Sequence, residues 1–115
     1  IRAGGFGLGA VVTPTGVGTS VADGKRTLEL NGRTYLVEMP LRADFALVNA
    51  RQADHIGNLA YALTARNFNP VIAMAADVVL AEPQEIVPVG VIPPDAVMTP
   101  SVLVTHIITK EPARG

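Results

Sequence analysis

Phe45-Ala46-Leu47-Val48-Asn49-Ala50 and Asp77-Val78-Val79-Leu80-Ala81-Glu82 are two nearly continuous apolar runs of strand length. Such runs suit strands buried on both faces, the kind found in parallel sheets. Between them stands Asn69-Pro70-Val71-Ile72-Ala73-Met74-Ala75-Ala76. Asn69 as N-cap and Pro70 at the first helical position predict a helix starting there, because the missing proline N–H costs nothing at that place. Strand, helix, strand is an α/β signature.

On the N-terminal side, Thr27-Leu28-Glu29-Leu30 and Arg33-Thr34-Tyr35-Leu36-Val37-Glu38 flank Asn31-Gly32. That dipeptide tolerates the two positive φ values of a type I′ turn, so the pair reads as an antiparallel hairpin with one wet face, a flap over the α/β body. Before it, residues 4–19 hold six glycines in sixteen residues, too many for the interior of a helix or strand, and predict a shaped loop. Thr19 to Asp23 reads as a short helical turn stopped by Gly24.

Toward the C-terminus, Pro83, Pro88, Pro93, Pro94 and Pro100 exclude a long helix and leave turns around short extended pieces, Ile86-Val87 and Val89-Gly90-Val91. Val102 to Ile108 is strand-like, and residues 110–115 are polar enough to fray. Two buried strands and one helix are too few for an independent doubly wound domain, so the chain reads as the C-terminal part of a longer one.

Composition narrows the function. The 115 residues, 49% hydrophobic and 17% charged, suit one folded domain rather than a disordered chain. Nine basic against ten acidic residues leave no basic field for nucleic acid or an anionic membrane, and no apolar run approaches the ~20 residues of a membrane span. The absence of cysteine removes disulfides and thiolate chemistry. His55 and His106 stand far apart with no partner at metal-ligand spacing, so no metal is expected; His106 reads as a strand histidine and His55 as a locally bonded loop residue. The G-x-G-x-G of Gly5 to Gly9 lacks the further residues of a dinucleotide or P-loop motif.

Two stretches remain as candidates. The glycine-rich segment offers backbone N–H groups open to an acyl group, an oxyanion or a partner's loop, or else is a tight connector. Arg66-Asn67-Phe68-Asn69 precedes the expected helix start and suits a carboxylate or phosphate. The plainer reading has Asn69 capping the helix, Phe68 anchoring the loop in the core and Arg66 in an ion pair. Spacing alone gives no acid-base constellation and no nucleophile.

Ile1-Arg2-Ala3-Gly4-Gly5 running to Thr13-Pro14-Thr15-Gly16-Val17-Gly18-Thr19 resembles the glycine-rich segment of the alpha (A) subunits of 3-oxoacid CoA-transferases. Pro40 to Val48, Asp54-His55-Ile56-Gly57-Asn58-Leu59, Thr64 to Pro70, Thr99-Pro100 and His106-Ile107-Ile108 resemble further family blocks in the family's order. The likeness covers essentially the whole chain but only the C-terminal half of such a subunit. The family's N-terminal Gly-Gly-Phe loop, after its first strand, is not included.

The resemblance implies an open, mostly parallel α/β sheet and a subunit that works with a B subunit, in an α2β2 assembly. It implies transfer of CoA from succinyl-CoA or acetyl-CoA to a short-chain 3-oxoacid such as acetoacetate. The glutamate that becomes the glutamyl-CoA thioester would lie on the B subunit, since its Ser-Glu-Asn-Gly surroundings are absent here. No catalytic residue, metal or prosthetic group is therefore expected on this chain, CoA being a substrate. Gly4, Gly5 and Phe6 with Thr13, Pro14, Thr15 and Gly16 are the expected acyl-pocket and oxyanion loop; Arg66, Asn67 and Asn69 are the expected support of the pocket. The resemblance further implies a cytoplasmic enzyme, an organellar leader ahead of Ile1 staying open. Two other readings stand beside it: a noncatalytic binding or assembly fragment, and a small-molecule α/β enzyme of the sugar-phosphate isomerase kind.

Overall fold

The structure, a computed structural model, describes residues 1–110. It holds helices α1 (Arg2–Phe6) and α2 (Ala65–Met74) and strands β1 (Val11–Thr13), β2 (Thr27–Leu30), β3 (Arg33–Glu38), β4 (Ala43–Asp54), β5 (Leu59–Ala60), β6 (Ala76–Val87) and β7 (His106–Ile107). β4 and β6 run parallel from the pair Ala43↔Ala76 to the pair Asp54↔Val87, and α2 makes the crossover between them. β5 pairs antiparallel with the end of β4, β7 lies parallel to β6 beside Leu80 and Ala81, and the order is β5-β4-β6-β7. The fold is thus the mixed α/β arrangement with a mostly parallel sheet that the two apolar runs predict.

The hairpin forms as expected, Asn31 at φ 52° and Gly32 at φ 76° turning β2 into β3. β1 joins β3 as a third antiparallel strand, so the flap is a small sheet of order β1-β3-β2. Ser20–Ala22 forms the expected short helical turn, of 3-10 type. His106 lies on a strand as expected, while exposed His55 makes no side-chain hydrogen bond among the described residues. The fraying expected of 110–115 lies, apart from Lys110, outside the described residues; Lys110 Nζ stands 3.3 Å from Glu82 Oε1.

Three expectations are corrected. The central strands are buried on one face, not two. Ala46, Val48 and Ala50 of β4 join Val79 and Ala81 of β6 in a core with Leu59, Tyr61 and Ala73 of α2. The alternate residues Phe45 and Leu47 are 64% and 71% exposed, paired across the ladder with Val78 and Leu80. Among the described residues no helix covers that face, so an apolar surface lies open.

The helix starts five residues earlier than expected. Its first turn is closed by Ala65, Arg66 and Asn67 N–H groups donating to the carbonyls of Ala62, Leu63 and Thr64. Pro70 therefore sits inside α2, where it deprives the Arg66 carbonyl of its usual donor. Asn69 is no N-cap: its Nδ2 donates back to the Ala65 carbonyl at 3.0 Å, and its Oδ1 accepts the Asn49 N–H of β4 at 3.0 Å.

β6 also runs beyond Glu82, through Pro83 to Val87. The Val79 and Ala81 carbonyls accept from Thr105 and Ile108, so odd residues of β6 turn their backbone groups toward β7. Pro83 faces that same side past the last β7 pair, where a missing N–H leaves no ladder bond unmade. Pro88, Pro93, Pro94 and Pro100 lie, as expected, in turns and 3-10 segments, but Val89-Gly90-Val91, expected to be extended, is itself a turn closed by the Val91 N–H donating to the Pro88 carbonyl; Ile92 and Thr99 are buried.

Candidate functional site

Gly4 and Gly5 do not shape a loop; they lie in α1. A Cβ on Gly4 would stand 2.0 Å from the Leu41 carbonyl oxygen, and one on Gly5 2.8 Å from Met74 Cβ. These glycines are present because α1 is pressed against the entry to β4 and the end of α2. Arg42 fastens the contact: its Nη1 donates to the Gly4 carbonyl at 2.9 Å and its Nη2 to Asp77 Oδ1 at 3.1 Å. Phe6 is exposed and lines, with Arg2, Pro70, Val71 and Met74, a groove of about 230 Å³ between the two helices.

Thr13 ends β1, and Pro14, Thr15 and Gly16 turn away from it on the smaller sheet. Thr13 Oγ1 accepts the Thr15 N–H at 3.2 Å, and the Gly16 carbonyl accepts the Thr19 hydroxyl at 2.6 Å. Gly16 packs on Leu36, the buried centre of that sheet. Among the described residues no hydrogen bond joins this turn to α1 or to α2.

The α2 residues part company around the helix. Arg66 Nε donates to the Tyr61 carbonyl at 3.4 Å. Asn67 opens onto a groove shared with Ile1, Arg2, Phe68 and Val71, and Asn69 braces the free edge of β4 as described. None of the plainer assignments holds: Asn69 does not cap, Phe68 is 65% exposed rather than anchored, and Arg66 has no ion pair among the described residues. Arg66 is thus a cation with most of its donors uncommitted, beside the first turn of a helix. Uncommitted guanidinium donors favour a carboxylate.

Sequence reasoning missed a polar knot at the carboxyl end of β4. Asp54, 2% exposed, accepts the Ile56, Gly57 and Asn58 N–H groups on Oδ1 and the Asn58 side-chain amide on Oδ2. Burial pulls its pKa up, but the hydrogen bonds from Asn58, Ile56 and Gly57 outweigh it and hold the carboxyl below its ordinary 3.8. Asn58 Oδ1 accepts the Ser101 N–H at 2.8 Å, and Tyr61 and Thr99 pair their hydroxyls at 2.7 Å. Burial raises the Tyr61 phenol above its ordinary value, the Thr99 bond opposing it. The available signal is Asp54 followed by Gly57-Asn58, an Asx-turn pattern. The knot lies where ligands gather in open α/β sheets, beyond the carboxyl ends of parallel strands. Among the described residues no group of three or more His, Cys, Asp or Glu side chains could hold a metal, and no helix is long and apolar enough to cross a membrane.

Comparison with known proteins adds the family. The model of the coenzyme A transferase family matches residues 1–110. The alpha subunit of the acetate CoA-transferase of Escherichia coli is 54% identical over 114 residues, covering 99% of this chain and 52% of the relative. The A subunit of the 3-oxoadipate CoA-transferase of Acinetobacter baylyi is 48% identical over 108 residues, covering 94% and 47%. The chain thus spans about half the length of the curated relatives it matches. A crystal structure of an acyl-CoA transferase from E. coli O157:H7 superimposes with a TM-score of 0.82 at 20% identity, over 95% of this chain and 25% of that one, a likeness of fold.

Proposed function

The chain belongs to the coenzyme A transferase family, and from that premise we propose that it is the C-terminal portion of an A subunit that moves CoA between an acyl-CoA and a short-chain 3-oxoacid. The donor is succinyl-CoA or acetyl-CoA and the acceptor acetoacetate. The observation that carries this reading is the 54% identity, over nearly the whole chain, to the alpha subunit of an acetate CoA-transferase.

In this proposal the covalent step belongs to a B subunit. Its glutamate attacks the thioester carbonyl, expels the CoA thiolate and forms an anhydride; the thiolate then takes the glutamyl carbonyl and releases the acyl carboxylate. The incoming 3-oxoacid runs the same steps in reverse. CoA is carried as substrate, without metal or prosthetic group. What this chain supplies is binding: Arg66 holds a substrate carboxylate, with Asn67 and Asn69 ordering α2 around it. Near the acyl pocket, exposed Phe6 at the end of α1 and the turn of Thr13, Pro14, Thr15 and Gly16 face the B subunit, while Gly4 and Gly5 seat α1 against β4 and α2. The open face of Phe45 and Leu47 packs under the rest of the A subunit, and two A and two B subunits assemble in the cytoplasm.

The test is CoA exchange between succinyl-CoA or acetyl-CoA and acetoacetate by the complete A subunit with its B partner. Turnover is expected from the assembly and none from these 115 residues alone. Arg66→Ala should raise the KM for acetoacetate about 10-fold or more, the loss of a charge-assisted contact. An assembly that binds B and turns over neither donor overturns the transferase reading.

A further inference from the structure

The Arg66 side chain is held at one point, the Tyr61 carbonyl, and the Tyr61 side chain is held in turn by a residue far along the chain. The Tyr61 ring is 4% exposed and its hydroxyl meets Thr99 Oγ1, on a residue 1% exposed. Thr99 is fixed in turn: its carbonyl accepts the Leu59 N–H at 2.9 Å, and its own N–H donates to the Leu59 carbonyl at 3.3 Å. Just beyond, Ser101 N–H donates to Asn58, which Asp54 holds through both the Asn58 backbone and its side-chain amide. The segment 99–101 is thereby bolted to the β4–β5 turn, and the Tyr61 hydroxyl is bolted to the segment.

We infer that Tyr61 and Thr99 are positioning residues that set where the Arg66 guanidinium stands, with the Asp54–Asn58 turn as their anchor. Packing alone does not explain the hydroxyl pair. A Phe and a Val would fill the same space, and replacing both partners of a buried hydrogen bond by apolar groups of like shape is close to neutral for stability. What an apolar pair lacks is direction: it leaves the ring free to slide along its pocket and to carry the Tyr61 carbonyl with it. A bond already 3.4 Å long is lost on a small slide, since hydrogen bonds weaken steeply beyond that reach. A displacement of about 1 Å in a substrate-orienting group is enough to change the kinetics.

The inference rests on the proposed role of Arg66, and the experiment separates the two. In the complete A and B assembly, Y61F/T99V, T99V, T99S and R66A are compared by acetoacetate KM, by kcat per active site and by Tm. The double variant should raise KM about 3- to 10-fold, with kcat and Tm close to the parent, and T99S, which keeps the hydroxyl, should restore the parental KM. Combining Y61F/T99V with R66A should give the KM of R66A alone, because the pair acts only through that side chain. An unchanged KM in R66A overturns the Arg66 reading. A raised KM in R66A with a parental KM in Y61F/T99V overturns the positioning role alone, as does a fall in Tm without a change in KM. If the double variant does not assemble, T99V against T99S carries the same comparison.

Discussion

Gly4→Ala is the substitution that most directly tests how α1 sits. The added Cβ would lie 2.0 Å from the Leu41 carbonyl oxygen and 2.8 Å from its carbon, where ordinary contact begins near 3.4 Å. α1 must therefore retreat by about 1.4 Å from the start of β4, the difference between 3.4 and 2.0 Å. Overpacking of this kind costs about 1–3 kcal/mol. The retreat also stretches the Arg42 bond to the Gly4 carbonyl, 2.9 Å long, which adds about 1 kcal/mol for a half-exposed donor. Alanine returns about 1 kcal/mol through its better helix propensity. The net is a loss of about 1–3 kcal/mol, a fall in Tm of about 2–4 °C for each kcal/mol in a complete subunit about twice the length of this chain. Gly9→Ala is the control: nothing lies within 4 Å of its Cβ, so the change should be neutral or stabilise by about 0.4–1 kcal/mol through the unfolded chain. The assay is thermal unfolding of the complete A subunit carrying each variant. A Gly4→Ala protein that melts with the parent or above it would refute the close approach and return residues 4–9 to a pliable loop.

Asp54→Asn should lower stability at neutral pH by about 1–3 kcal/mol, because the new amide nitrogen faces the donor Asn58 Nδ2 in a buried turn. It should also flatten the acid limb of the stability curve. The folded-state pKa of Asp54 lies below 3.8, so its stabilisation is complete above that pH and fades as pH falls through the folded value; urea titrations from pH 2 to 7 compare the two slopes, and parallel acid limbs would sink the idea. Asn69→Ala strips the Asn49 N–H and the Ala65 carbonyl of a partner each and should cost about 1–2 kcal/mol in chemical unfolding, with faster amide exchange at Asn49. An unaltered exchange rate at Asn49 would show that Asn69 does not brace the β4 edge.

The parts of the fold that are legible in the sequence are those fixed by neighbours a few residues apart. Asn31-Gly32 specifies its turn through its own backbone, and the runs at 45–50 and 77–82 announce strands by composition. The parts that are not legible turn on partners far away in sequence. Asn69 looks like a cap beside Pro70 because cap logic is local, but its amide finds the Asn49 N–H twenty residues earlier. A glycine required by a positive φ and one required by a close neighbour look alike in a string of letters; what separates Gly4 from a loop glycine is the Leu41 carbonyl. A continuous apolar run suggests burial of β4 on both faces, yet continuity only says that both faces are apolar. Which of them this stretch of chain itself covers is a matter of how many helices it brings, and among the described residues α2 is alone against the core face.

The candidate site shows the same division inside a single block. Residues 66–69 read as one grip because they are adjacent, yet an α-helix turns each successive side chain by about 100°. Arg66 accordingly reaches back to Tyr61, Asn67 faces the α1 groove and Asn69 reaches the β4 edge. Adjacency on a helix therefore disperses function, whereas the bonds from Arg66 to Tyr61 and from Tyr61 to Thr99 tie one guanidinium to a hydroxyl 38 residues beyond Tyr61 in the chain. Substitutions at Thr99 should consequently resemble those at Arg66 in their kinetics more closely than substitutions at Asn67 do, although Asn67 is next to Arg66 in the chain. An Asn67→Ala variant that matched R66A in its acetoacetate KM, with T99V at the parental value, would reverse that order and restore the contiguous block as the unit of function.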